Sequence, residues 1–299
     1  MKMRRPLILG AAVLTALLRA SAHDSPGDVI HLLTDRIESQ GPTARLLASR
    51  AYEHRSLGDS AAAIADFQHA LKLQPGYSAA ILGCAETMLE QGSYADSESI
   101  IRTGLISDDD MSRRAPFEAV LARILAAQLR WSEAREAWRA ALQAPDPEVD
   151  WFLGEAECLA RMGCFPEQVD ALAEAVKRNP SVVLQRAWIR ALVDAGEIGR
   201  ASSEIEAALA GSRWKSQWLL LRARINGQRG NVIEERSDAM AALAEIRSRY
   251  NPERPAPYLV AEMGNALALL GQYEESRACI EKARNLGVPE SLLIARSGG

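Results

Sequence analysis

The chain is short of aromatic residues, which make up 5% of its 299 residues, while alanine is abundant. Helices that pack closely need small side chains where they cross, so this balance suits a stack of helices better than a β-sandwich, and no strand pattern of comparable strength is present. Proline and glycine are sparse as well, at 13 and 20 residues, which argues against disorder in a chain that is 48% hydrophobic and long enough for a continuous core. A surplus of cations is also missing: 35 Lys and Arg stand against 39 Asp and Glu, a formal charge of −4. Nucleic acids and anionic lipids draw their affinity for proteins mostly from clustered Lys and Arg, so neither is an expected partner.

The motifs that announce an enzyme are absent. There is no phosphate loop, nucleophile elbow, His-Glu-x-x-His or dinucleotide fingerprint, and the four histidines, His23, His31, His54 and His69, all fall in the first quarter of the chain. His54 and His69 read as surface residues, and Glu155 and Glu157 as ordinary helix charges. The run Asp108-Asp109-Asp110 reads as a solvated loop and helix-cap signal, because a calcium loop needs alternating ligands and a glycine. No catalytic set, cofactor or structural metal is expected. Of the four cysteines, Cys84, Cys158 and Cys279 occupy helix positions that call for a small apolar residue and are expected to be buried. Cys158 and Cys164 are close enough in sequence for a local disulfide, but they are not a zinc signature, because no second pair of ligands accompanies them.

What is present begins with a leader. Lys2, Arg4 and Arg5 precede the apolar run Pro6–Leu18, and Ala20-Ser21-Ala22 supplies small residues for cleavage, the pattern of a secretory signal peptide over residues 1–22. The run of thirteen apolar residues is shorter than the roughly 20 needed to span a bilayer, so no membrane span is expected after cleavage. The flanks of Arg4-Arg5 lack the rest of a twin-arginine signal, so Sec export to a periplasmic or extracellular location is the expectation. Loss of Lys2, Arg4, Arg5 and Arg19 with the leader takes the formal charge from −4 to −8. Cleavage after Ala22 makes His23 the N-terminal residue, whose amine and imidazole together can chelate copper. That leaves a second reading open, an accessory or metal-handling factor of an envelope enzyme.

The rest of the chain repeats one phrase. In Leu57–Pro75, Gly58 supplies a positive-φ residue that ends one helix and Asp59 caps the next. Ala63, Ile64, Phe67, Ala70 and Leu71 then recur at three- and four-residue spacing, and Pro75 stops the run. With the turn residue set as position 15, copies start at residues 44, 78, 115, 149, 182, 216 and 257, at intervals of 34, 37, 34, 33, 34 and 41. A period near 34 with small residues at positions 8, 20 and 27, a large apolar residue at 24 and Pro at 32 resembles the tetratricopeptide repeat. The first copy matches best, through Ala51, Gly58, Ala63, Phe67, Ala70 and Pro75. Later copies depart from it, with Ser97 and Gln168 at position 20 and no closing Pro in the second, sixth and seventh. The resemblance implies an all-α superhelical solenoid of about seven helix-turn-helix repeats over residues 44–288.

Around that array the sequence predicts an N-terminal capping helix within residues 23–43, from about Gly27 to Glu38, with Val29, Ile30, Leu33 and Ile37 on one face. Residues 107–114 read as a polar loop. The helix from Ile233 is expected to run to about Arg249, where residues 251–257 break it. A short closing helix and a tail are expected over residues 289–299.

In the resembling family the inner surface is built by positions 2, 5, 9 and 12 of each first helix and takes up another protein or peptide. Position 9 here reads Tyr52, Glu86, Arg123, Glu157, Arg190, Arg224 and Asn265, and Arg186 adds to it from position 5. The resemblance thus implies a protein-binding scaffold whose groove carries arginines that suit an acidic partner. The competing reading is that Glu157 or Asp194 neutralises these arginines internally. Where family members clamp a terminal carboxylate, Lys recurs at position 5 and Asn at position 9. Only Asn265 fits, with Ala261 at its position 5, so that activity is not implied.

Overall fold

A residue with positive φ every 34 or so residues turns the chain back on itself, and the helices between those turns build the whole structure. The computed structural model describes residues 25–106, 111–288 and 293, and among them there are fifteen helices and no strand. They fall into two compact units divided between Met162 and Gly163, within the turn of the fourth repeat.

The first unit holds α1 (Pro26–Gln40), α2 (Ala44–Ser56), α3 (Ser60–Leu73), α4 (Ser78–Glu90), α5 (Tyr94–Ile106), α6 (Met111–Ala127), α7 (Trp131–Ala141) and α8 (Val149–Arg161). Helices α2 and α3, α4 and α5, and α6 and α7 pair as hairpins, and α1 covers α2. The first helices also pack on one another in series, α2 on α4, α4 on α6 and α6 on α8, so they form the inner layer of the unit. The second unit holds α9 (Phe165–Arg178), α10 (Val182–Asp194), α11 (Ile198–Gly211), α12 (Ser216–Gln228), α13 (Val232–Arg249), α14 (Pro257–Leu269) and α15 (Tyr273–Asn285). Its inner layer is α10 on α12 on α14.

Six of the seven first helices start at the residue where the repeat starts, and two of them are capped there by a side chain: Thr43 accepts from the Leu46 amide and Ser181 from the Leu184 amide. The exception corrects the sequence reading. Helix α6 starts at Met111, so residues 111–114 are helical instead of belonging to a polar loop, and an Arg114–Glu118 pair one turn apart supports the extension. Pro116, at the start of a regular repeat, is thereby left inside the helix. Helix α1 runs from Pro26 to Gln40, held by a reciprocal Ser25–Asp28 capping box and ended by Gly41 at φ 84°. Helix α13 ends at Arg249 as expected. The leader 1–22, His23, the acidic run 108–110 and, Leu293 apart, the closing segment 289–299 lie outside the described residues; Leu293 itself is buried with Val260, Ile280 and Val288.

Six of the seven repeat turns satisfy the helix end in the same way. The Gly58 amide donates to the Arg55 carbonyl at 2.9 Å and the Asp59 amide to the His54 carbonyl at 2.9 Å, and the pattern recurs at Gly92, Gly196, Gly230 and Gly271. The third repeat makes the same two bonds without a glycine. Leu129 sits there at φ 61°, the one non-glycine residue with positive φ among those described, and its side chain is 70% exposed. A leucine in this conformation is strained by about 1–2 kcal/mol, with no burial to offset it.

Between repeats, the large side chain at position 24 determines what position 6 of the next repeat can be. Phe67 and Trp138 are buried at position 24 of the first and third repeats, and each lies where a side chain at Gly83 or Gly154 would have to stand. Substituting alanine at either glycine should therefore cost about 1–3 kcal/mol in urea denaturation, despite alanine's better helix propensity. Gly199→Ala, with nothing within 4 Å of the added carbon, should be neutral or gain up to about 1 kcal/mol. Leu129→Gly should gain about 0.5–1 kcal/mol, the relieved strain less glycine's extra freedom in the unfolded chain.

Candidate functional site

Positions 5 and 9 of a first helix lie four residues apart and so share one helix face. In the first unit the charges on this face neutralise one another. The Arg55 guanidinium donates to Glu90 through Nε at 3.1 Å and Nη2 at 2.5 Å, and through Nη1 to Glu86 at 2.6 Å; Arg123 donates to the other oxygen of Glu86 at 3.1 Å. The Arg55 hydrogen bond holds the Glu90 carboxyl below the usual carboxylate range. Tyr52 is used by the fold as well: its hydroxyl donates to the Ala79 carbonyl at 2.8 Å, its ring meets Phe67 edge-on at 5.1 Å, and burial pushes its phenol up. Glu157 stands apart, pairing with Arg161 one turn along its own helix at 3.3 Å. Arg123 is thus compensated by Glu86, and Glu157 has no part in that pairing.

The second unit is different. Arg186 and Arg190 from α10, Gln217, Leu220, Leu221 and Arg224 from α12, and Glu262 and Asn265 from α14 line one cleft. All four expected groove residues of this unit, Arg186, Arg190, Arg224 and Asn265, meet there. Three guanidinium groups and the Glu262 carboxylate line it. Arg186 is enclosed so far that its Nε is sealed from solvent without a hydrogen-bond partner, and burial lowers its pKa, with Glu262 opposing the shift and Arg190 reinforcing it. Burial likewise raises the Glu262 carboxyl, against the Ser216 hydroxyl that donates to it at 2.9 Å and the charges of Arg186 and Arg249. Asp194 acts on Arg190 electrostatically, and its own carboxyl is raised by burial. A buried charged donor left unpaired is costly.

No metal or thiol site competes with this cleft among the described residues. No group of three or more His, Cys, Asp or Glu could hold an ion there; His31 and His69 are exposed, and His54 lies 3.7 Å from Asp59. None of the four cysteines is in a disulfide, so the local bridge between Cys158 and Cys164 is not formed. Cys84 and Cys158 are buried, which pushes both thiols up to about 11 and leaves them inert at neutral pH.

Two sets of polar residues escape a reading of one repeat at a time. Arg50 at position 7 grips Asp66 at position 23 through two 2.7 Å bonds and reaches Thr34 of α1. Arg222 and Asp238 repeat the arrangement at 2.9 and 2.8 Å, with Glu206 of the preceding repeat as the third partner. The serines that replace alanine at position 20 are the second set. Ser97 donates to the Ala85 carbonyl at 2.6 Å and Ser276 to the Gly264 carbonyl at 2.8 Å, in each case position 8 of the same repeat.

Two family models for tetratricopeptide repeats match the chain, at residues 54–124 and 120–182. No curated protein matches it significantly. Among solved structures, a tetratricopeptide repeat protein from Parabacteroides merdae ATCC 43184 is similar with a TM-score of 0.51 and 16% identity, over 81% of this chain and 93% of that one. PilF of Pseudomonas aeruginosa is similar with a TM-score of 0.51 and 17% identity, over 69% of this chain and 91% of its own. At such identities the likeness speaks for the fold alone.

The two arginine clamps should be worth more than the exposed pairs. Asp66→Ala or Asp238→Ala strands a guanidinium in a largely closed site and should cost about 2–3 kcal/mol in urea denaturation. Glu157→Ala should cost less than about 0.5 kcal/mol.

Proposed function

Because the chain belongs to the tetratricopeptide-repeat family, we propose that it is an exported, non-catalytic scaffold that binds a segment of another protein along the inner face of its first helices, and that an acidic stretch of the partner enters the cleft of α10, α12 and α14. One observation carries this reading: a guanidinium whose Nε is sealed without a hydrogen-bond partner, in a cleft lined by two further arginines. The planar fork of arginine accepts a carboxylate through two parallel bonds, which suits it to an acidic side chain or chain end. Export rests on the charged, apolar and small-residue pattern of residues 1–22.

The double variant Arg190→Gln, Arg224→Gln should lose capture of the partner from the envelope fraction while its thermal midpoint stays within about 3 °C of the parent, because partly exposed charges contribute little to stability. Capture that survives the double substitution contradicts the groove. The protein recovered from cells should begin at His23 in mass spectrometry, and recovery of the uncleaved chain from the cytosol contradicts export.

A further inference from the structure

We infer that the loop 212–215, where it meets the end of α13, is a second contact surface of this protein, fitted to a short acidic segment of a protein partner and centred on Trp214 and Arg213. None of its residues lines the cleft of α10, α12 and α14, and the inference does not depend on the groove reading above.

Two tryptophans stand four residues apart around the start of α12, and the core uses one of them. Trp218 is fully buried and its indole nitrogen donates to the Ser212 hydroxyl at 2.9 Å, whereas Trp214 is 43% exposed. The loop that carries Trp214 is fixed at both ends. The Ser212 amide closes α11 on the Ala208 carbonyl at 2.9 Å, and the Lys215 amide donates to the Glu245 carboxylate of α13 at 2.8 Å. An indole presented on a loop held in this way loses little freedom when a partner covers it.

The groups around the indole are donors. The Arg213 guanidinium lies over its ring at 4.9 Å from the centroid and the Arg249 guanidinium at 4.4 Å. A stacked guanidinium makes that contact with its face and keeps its N–H edge for an acceptor in its own plane. Glu245 is the acid that touches this loop, and both of its oxygens are engaged, one by the Lys215 amide and the other by Arg249 at 3.2 Å. Among the described residues the Arg213 guanidinium, the Lys215 ammonium and the Trp214 indole N–H have no acceptor, and all three side chains are exposed. A set of donors without acceptors takes an anion, and Trp and Arg are the residue types that dominate binding energy at protein interfaces.

A protein segment fits this surface better than an anionic membrane does. The chain carries a formal charge of −4, so a broad negative surface repels most of it. A narrow acidic segment meets only the charges within a Debye length, about 8 Å at physiological salt. Burying the indole in lipid would also carry the two guanidinium groups over its ring into the bilayer.

Fluorescence anisotropy with a labelled peptide of alternating Glu and Ser, against its Gln and Ser counterpart, tests this. It is measured on the full chain carrying Arg190→Gln and Arg224→Gln, so that the cleft does not contribute. The Glu peptide should bind about tenfold or more tighter than the Gln peptide, and Arg213→Gln with Lys215→Gln should erase the difference. Trp214→Ala leaves the charge unchanged and should weaken the Glu peptide about tenfold, because Arg213 loses the ring that positions it. Circular dichroism melts report whether each variant folds, and the Gln substitutions, on exposed side chains, remain readable if Trp214→Ala does not. The inference is overturned if the Glu peptide binds no tighter than the Gln peptide, or if its affinity survives Trp214→Ala or the loss of Arg213 and Lys215. It is overturned as well if phosphatidylglycerol vesicles bind the chain through Arg213 and Lys215 while the peptide does not. None of these outcomes touches the groove reading, which partner capture by the Arg190 and Arg224 variants decides separately.

Discussion

The constraint on which the structure depends is the meeting of the side chain at position 24 of one repeat with position 6 of the next. Hairpins whose helices are mostly 11 to 14 residues long are too short to hold themselves, so each borrows its stability from its neighbours. Where position 24 is an aromatic ring, the next first helix can approach only if position 6 carries no side chain, as at Gly83 under Phe67 and Gly154 under Trp138. Where position 24 is smaller, position 6 grows: Val120 follows Ile101, Ala187 follows Leu172, Leu221 follows Ile205. The last step of the series bears on function. Ala239 at position 24 of the sixth repeat is the smallest member, and position 6 of the seventh repeat is Glu262, the carboxylate of the cleft. The packing rule that stacks the array thus also admits a charged side chain to the inner layer at that repeat.

The two units treat their inner faces differently with the same scaffold. In the first, Glu86 lies between two arginines and spends both oxygens on them, so the face is electrically closed. In the second, Arg186, Arg190, Arg224 and Glu262 line one cleft, the Ser216 hydroxyl donates to Glu262, and the Arg186 Nε has no hydrogen-bond partner. Exposed ion pairs contribute little to stability, so charges on an inner face can change without unfolding the array. That freedom makes the inner face, more than the core, the place where a repeat protein acquires a partner.

Much of this was legible in the sequence, and the part that was not has one cause. Repeat starts, turn glycines, the cap at Asp59 and the long α13 follow from local chemistry, in which a residue's role is decided by neighbours three or four places away. Gly83, Ser97, Ser276 and the Arg50–Asp66 clamp are pairwise: each makes sense only beside a residue 12 to 16 positions away, and read singly they look like degenerate repeat positions. Leu129 is invisible for the opposite reason, because the turn imposes a conformation that the residue itself does not favour. The grouping of Arg186, Arg190, Arg224 and Asn265 was readable from equal helical positions, but the compensation of Arg123 was not. Arg55 and Glu90, which complete that network with Glu86, lie outside positions 5 and 9.

The central claim is that the inner face of the second unit holds the partner. Site-specific photo-crosslinking decides it most directly, with a photoreactive residue at Gln217 inside the cleft and, as comparison, at Met240 on the exposed surface of α13. The account predicts a covalent adduct from Gln217 but not from Met240, joined to a partner segment that mass spectrometry shows to contain Asp or Glu within a few residues of the link. Adducts from Met240 alone, or a Gln217 adduct on a segment rich in Lys and Arg, would contradict it.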